Sequence, residues 1–188
     1  MQSVISTLRG KTSSLLERFA NTPCEYRVLQ TAFLFACLTG LRKSDIKQLT
    51  WENIQPYGDG GMYVTLRMQK TKELVSNPIS DEALELIGER GTGIVFTGFT
   101  DKLTQTPLKN WLKAAGITKK ISFHCSRHTF GSLQVDAGTS VYTVQHMLGH
   151  KNVSTTQIYA NMADENKRES VNRITLKSAK NVQLKVVG

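Results

Sequence analysis

The chain has 188 residues, with 24 Lys and Arg against 15 Asp and Glu, giving a formal net charge of +9 and a pI near 9.6. Hydrophobic residues make up 39% and charged residues 21%, a balance that excludes wholesale disorder and predicts one domain with a buried core. No apolar run approaches the ~18 residues that span a bilayer, residues 1–10 lack a signal-peptide core, and Cys24, Cys37 and Cys125 form no C-x-x-C pair, so a soluble protein of a reducing, intracellular compartment is expected. The positive charge predicts a polyanionic partner, with nucleic acid first and an anionic membrane surface second.

In chain order, residues 13–20 and 25–38 have helical spacing, the second placing Leu29, Ala32, Phe33 and Ala36 on one stripe before Thr39 and Gly40 end it. A short helix is predicted from Ser44 as its N-cap, with Ile46 and Leu49 inward. After a loop at 56–61, Met62, Val64, Leu66 and Met68 alternate with Tyr63, Thr65 and Arg67, which predicts a half-buried strand. Residues 73–79 form its hairpin partner, joined through a turn at 69–72.

Helices are then predicted over 81–89, stopped by Gly91, and over 106–115, stopped by Gly116. A further one covers 123–137, with Phe123, Phe130, Leu133 and Ala137 on one face and Gly138 at its end. Another begins at Ser140 with Val141, Val144 and Leu148 inward and stops at Gly149. A last helix starts near Ser154 and brings Ile158 and Met162 together, ahead of a basic tail. The predicted fold class is mostly α with a small antiparallel β-hairpin or sheet (α+β). The predicted organisation is a single domain over 1–188, with a core at about 12–163 and a tail at 164–188.

Several residues could carry chemistry. His124 and Arg127 are three apart and share a helix face with Gly131, at the edge of the Phe123/Phe130/Leu133 stripe, where both are expected to be partly buried and aimed outward. His124 and His128 have the four-residue spacing of a metal-binding pair. However, no Glu follows the first His, no third ligand is evident, and the cation Arg127 lies between them. Arg42 occupies a tight turn at a helix start, where backbone N–H groups favour anions; taken alone it is a solvated charge or a partner for Asp45. Lys70 and Lys72 project from the hairpin tip, His150 lies just past a helix end as a cap would, and Tyr159 sits beside Ile158 as a half-buried structural tyrosine would.

Each of these is unremarkable singly. In order, however, Thr39-Gly40-Leu41-Arg42, a hairpin lysine, His124-Cys125-Ser126-Arg127-His128-Thr129-Phe130, Leu148-Gly149-His150 and then Tyr159 form a set that resembles the tyrosine recombinases, the phage-type and mobile-element integrases. The resemblance runs over about residues 33–162 and is to the C-terminal catalytic domain of that family.

The resemblance implies a site-specific recombinase or integrase activity used in integration or excision of a mobile element, with no metal or other cofactor. Arg42 and Arg127 would grip the scissile phosphate. His124 would be the first histidine of the site, His150 would take the second histidine/tryptophan position, and Tyr159 would be the nucleophile that forms a 3′-phosphotyrosyl link. Lys70, or Lys72 in another register, would protonate the leaving 5′-oxygen, and His128 would support the site from behind. Residues 1–32 are too few for the family's N-terminal DNA-clamping domain, which is therefore expected to be absent. The implied partners are double-stranded DNA, a homo-tetramer formed on it and accessory DNA-bending proteins, with no membrane; the implied compartment is the cytoplasm. The rival readings are a type IB topoisomerase, a catalytically inactive DNA-binding module of the same fold, and a basic protein of RNA or membrane surfaces.

Overall fold

A computed structural model describes residues 12–58, 60–68 and 72–150. Helix α1 (Thr12–Asn21) is followed by α2 (Arg27–Thr39) and the short α3 (Lys43–Gln48). A 3-10 turn at Trp51–Asn53 leads into strands β1 (Ile54–Pro56), β2 (Met62–Arg67) and β3 (Leu74–Ile79). Then come α4 (Asp81–Ile87), a second 3-10 turn (Asp101–Thr104), α5 (Thr106–Ala114), α6 (Cys125–Asp136) and α7 (Val141–Met147). The helix predicted near Ser154, the tail, Lys70 and Tyr159 lie outside the described residues.

The predicted α+β class is observed, with one addition. The hairpin is the larger part of a three-stranded antiparallel sheet in the order β1-β2-β3. Ile54 pairs with Val64 and Pro56 with Met62, so β1 uses residues that the loop prediction at 56–61 begins to claim. Pro56 lacks an N–H, and an edge strand accommodates that. Period-2 alternation puts Val75, Asn77 and Ile79 inward and Leu74, Ser76 and Pro78 outward.

Helix α2 is the centre of the fold. The predicted stripe of Leu29, Ala32, Phe33 and Ala36 is buried, but so are Leu34, Phe35 and Cys37, because α1, α4, α6 and β3 cover it from several sides. Phe33 meets Phe123 edge-on at 5.5 Å and Trp111 at 5.8 Å, an arrangement favoured by the ring quadrupoles. A second cluster of Phe130, Val135, Val144 and Leu148, with Val141 and Met147 packed on it, joins α6 to α7. Among the described residues no helix is long and apolar enough to cross a membrane.

Three boundaries differ from expectation for identifiable reasons. The first is the start of α3, where Arg42, not Ser44, is the N-cap, because the carboxylate of Asp45 accepts the Arg42 backbone N–H at 3.3 Å and draws the helix start back. In α4 the helix stops at Gly88, whose N–H closes onto the Leu84 and Glu85 carbonyls, before Gly91 is reached. The third is α6, which begins at Cys125; Phe123 precedes it, yet is buried, while Ala137 at the other end is exposed.

Candidate active site

Arg127 departs most from expectation. It is 2% exposed rather than aimed outward from the edge of a stripe. Its Nη1 donates to the Gly40 carbonyl at 2.6 Å and its Nη2 to the Leu148 carbonyl. One guanidinium on α6 thus bridges the turn that ends α2 and the end of α7. Two of its five donors go to those carbonyls, which fixes the plane of the cation. Residues 40, 127 and 148 are far apart in sequence, so this joint is invisible to any local pattern.

The joint demands glycine at two turns. Gly40 has φ +70°, and a Cβ there would stand 2.6 Å from Phe130 Cδ1 and 2.9 Å from Leu148 Cδ2. Gly149 has φ +54°, and its Cβ would stand 2.9 Å from the Met68 sulfur. The left-handed backbone and the close approach both exclude a side chain. Thr39-Gly40 and Leu148-Gly149 are therefore the contact points that let three chain segments converge.

Arg42 extends from the first of these turns, half-buried, with Nη1 2.7 Å from the sulfur of fully buried Met68 at the base of the β2–β3 hairpin. Asp45, 3% exposed, holds the Arg42 backbone from within. Asn77 Nδ2 donates to the Met147 carbonyl at 2.7 Å and ties α7 to β3. Sequence reading missed the roles of Met68 and Asn77. The signal for Asn77 was present, as a polar residue at an inward position of an alternating strand.

His124 is the exposed N-cap residue of α6, and its ring meets that of half-buried His128 edge-on, 5.0 Å between centroids. His150 is half-buried, and its backbone caps α7 as expected: its N–H bonds to the Gln145 carbonyl while the Gly149 N–H bonds to the His146 carbonyl, and its own carbonyl accepts from Gln145 Nε2. Burial, then the charges of Arg127, Arg42, His128 and His124, pull the His150 imidazole down to about 4. Burial and the same cationic surroundings also lower His128. Arg42, His124, Arg127, His128 and His150 therefore share one electrostatic pocket, in which the His128 and His150 imidazoles are pushed towards the neutral form. Such a pocket is short of an anion.

The depressed imidazoles have a pH signature. A histidine at 6.5 unfolded and about 4 folded binds its proton more readily in the unfolded chain, so stability is intact above pH 6.5 and declines as pH falls towards 4. The melting temperature is expected to drop between pH 7 and pH 5, and His150→Asn to flatten that drop. An unchanged slope in the variant would remove His150 as its source.

At the hairpin, Lys72 is exposed with φ +60°, donates its N–H to the Met68 carbonyl at 2.9 Å, and offers its carbonyl to Arg67 Nη1 at 2.7 Å. A left-handed non-glycine residue costs roughly 1–2 kcal/mol, so Lys72→Gly is expected to stabilise by about 0.5–1 kcal/mol after the added chain entropy of glycine. Urea unfolding measures this, and a loss of stability would contradict the strained-turn reading. Among the described residues no group of three or more His, Cys, Asp or Glu side chains is placed to hold a metal ion.

Comparison with known proteins bears on the family and the fold. The profile of the phage integrase family matches residues 7–166. Tyrosine recombinase XerD of Vibrio cholerae is 31% identical over 141 residues, covering 68% of this chain and 47% of that protein. A tyrosine recombinase of Pseudothermotoga lettingae is 25% identical, covering 89% of this chain and 59% of that protein. The chain thus spans about half the length of these curated relatives. Among solved structures, the catalytic domain of bacteriophage HP1 integrase superposes with a TM-score of 0.62 at 24% identity, over 90% of this chain and 94% of that one. XerH recombinase superposes at 0.68 and 17% identity, over 87% of this chain and 52% of that one. The profile covers the fold from before α1 to beyond Tyr159, and the chain belongs to the phage integrase family of tyrosine recombinases.

Proposed function

We propose that the chain is the catalytic part of a site-specific DNA recombinase that breaks and rejoins duplex DNA through a 3′-phosphotyrosyl intermediate. The observation that carries this reading is the pocket in which Arg42, Arg127, His124 and His128 surround a neutral His150. Arg42 and Arg127 bind the non-bridging oxygens of the scissile phosphate, and their permanent charge offsets the negative charge that grows there during attack. The hydroxyl of Tyr159 attacks phosphorus, with a neutral imidazole of the pocket taking its proton. Lys70 returns a proton to the leaving 5′-oxygen, with Lys72 as the alternative donor. His128 packs behind His124 and fixes its ring. The phosphotyrosyl bond conserves the phosphodiester energy, so a second 5′-hydroxyl can reverse the step and exchange strands without ATP.

Two structural neighbours support the choice of partner. XerH was crystallised bound to its difH substrate, and a λ integrase dimer bound to a COC′ core site. For this chain the partner is duplex DNA, on which copies assemble as a homo-tetramer with the tail at 164–188 packing on a neighbouring protomer, aided by accessory DNA-bending proteins in the cytoplasm. Its DNA binding is expected to be steeply salt-dependent.

The test uses supercoiled plasmid carrying two candidate recombination sites. Exchange between paired sites supports the recombinase reading. Relaxation of single-site plasmid without exchange would replace it with the topoisomerase reading, and no strand breakage by a folded chain that binds duplex DNA would leave a DNA-binding module.

A further inference from the structure

Directly after Arg42, helix α3 presents Lys43 and Lys47, one turn apart on one face. Both converge on Asp101, at the start of the second 3-10 turn. Lys43 Nζ lies 2.8 Å from Oδ1 and Lys47 Nζ 2.7 Å from Oδ2, so each carboxylate oxygen takes one ammonium. The three side chains remain 42%, 37% and 53% exposed, so the cluster is open to a ligand from solvent. The two hydrogen bonds pull the Asp101 carboxyl down to about 2, so it stays charged at any working pH.

Exposed ion pairs of this sort add little to stability. Here the geometry suggests another use. Two oxygens shared between two ammoniums are also what the non-bridging oxygens of a phosphodiester offer. Lys43 adjoins Arg42, to which the proposed function assigns the scissile phosphate, so a phosphate held by the two lysines would be a near neighbour of the scissile one.

We infer that Lys43 and Lys47 form a second phosphate-binding station next to the scissile position, and that Asp101 occupies it in the free protein as an internal stand-in for DNA phosphate. DNA binding then exchanges a carboxylate for phosphate on the two lysines, and Asp101 weakens binding by competition. This rests on the proposed function, because Arg42 must face the DNA backbone for its neighbours to continue along it.

The experiment measures duplex DNA binding of the full chain across a salt series for the wild type, Asp101→Asn, the double variant Lys43→Gln/Lys47→Gln, and the triple variant, with circular dichroism confirming each fold. Asp101→Asn is expected to bind about three- to tenfold tighter. The double variant is expected to lower the slope of log K against log salt by about 0.9, the loss of one phosphate contact. In the triple variant the gain from Asp101→Asn should shrink below about twofold, since the competitor has nothing left to release. An unchanged slope in the double variant, or a full gain persisting in the triple variant, would overturn the station. A wild type that breaks DNA yet shows none of these shifts overturns this inference alone, whereas a folded wild type that binds no duplex at low salt overturns the proposed function with it.

Discussion

Arg127→Ala is expected to cost about 3–5 kcal/mol of folding stability and at least ~10²–10³ in the rate of DNA cleavage. The stability loss has a specific origin. The guanidinium is 2% exposed and satisfies the Gly40 and Leu148 carbonyls, and each buried carbonyl left without a donor costs about 1–3 kcal/mol. The cavity adds to this. Rate loss follows because the same cation is assigned to the scissile phosphate, where it would be preorganised by those carbonyls. Arg127→Lys is expected to recover little, because a single ammonium cannot bridge two carbonyls and also present a planar fork to phosphate.

A third consequence separates the electrostatic role from simple unfolding. Arg127 is the largest charge acting on His150, so its removal should raise the imidazole from about 4 towards its ordinary value. Urea unfolding, single-turnover cleavage in conditions where each variant is folded, and NMR titration of the histidines read the three effects. Cleavage by folded Arg127→Ala within threefold of the wild type would take Arg127 out of the site.

Tyr159→Phe is expected to abolish cleavage, with a loss of at least ~10⁴-fold, and to leave duplex binding within twofold. A free tyrosine with a pKa of about 10 is phenolate in roughly one molecule in a thousand at pH 7. In the proposed mechanism, a pocket with two arginines and the His128 and His150 imidazoles would stabilise that anion and accept its proton. Removing one oxygen changes none of Arg42, His124, Arg127, His128 and His150 and removes the only atom assigned to bond to phosphorus. Single-turnover cleavage beside equilibrium binding checks both halves, and residual cleavage near the wild-type rate would show that another group attacks.

Much of the fold could be read from local pattern. The alternation at 62–66, the glycines after α2, α5, α6 and α7, and the Ser140 cap of α7 each follow from a rule that acts within a few residues. The candidate residues form an ordered set of motifs in the sequence, and the described ones, Arg42, His124, Arg127, His128 and His150, lie close enough to influence one another electrostatically. What sequence could not supply was depth. Arg127 looks like an edge residue by helical phase, yet the turns at Gly40 and Gly149 bring two other segments over it. Short β1 was equally hidden, because three residues carry no periodicity of their own and are fixed only by pairing with β2. Met68 reads as the last residue of a strand; that its sulfur steadies Arg42 depends on how α3 docks on the hairpin.

The most direct test of the account is to trap and map the covalent complex. Duplex DNA with a nick beside a candidate recombination site lets the short leaving strand diffuse away, so that the broken strand stays attached to protein. Denaturing electrophoresis of end-labelled strands and mass spectrometry of the digested adduct then locate the bond on both partners. The account predicts an adduct joined through the DNA 3′-phosphate to the peptide carrying Tyr159, with a free 5′-hydroxyl on the departing strand and no adduct from Tyr159→Phe. An adduct through the 5′-phosphate, or on any residue other than Tyr159, would contradict it.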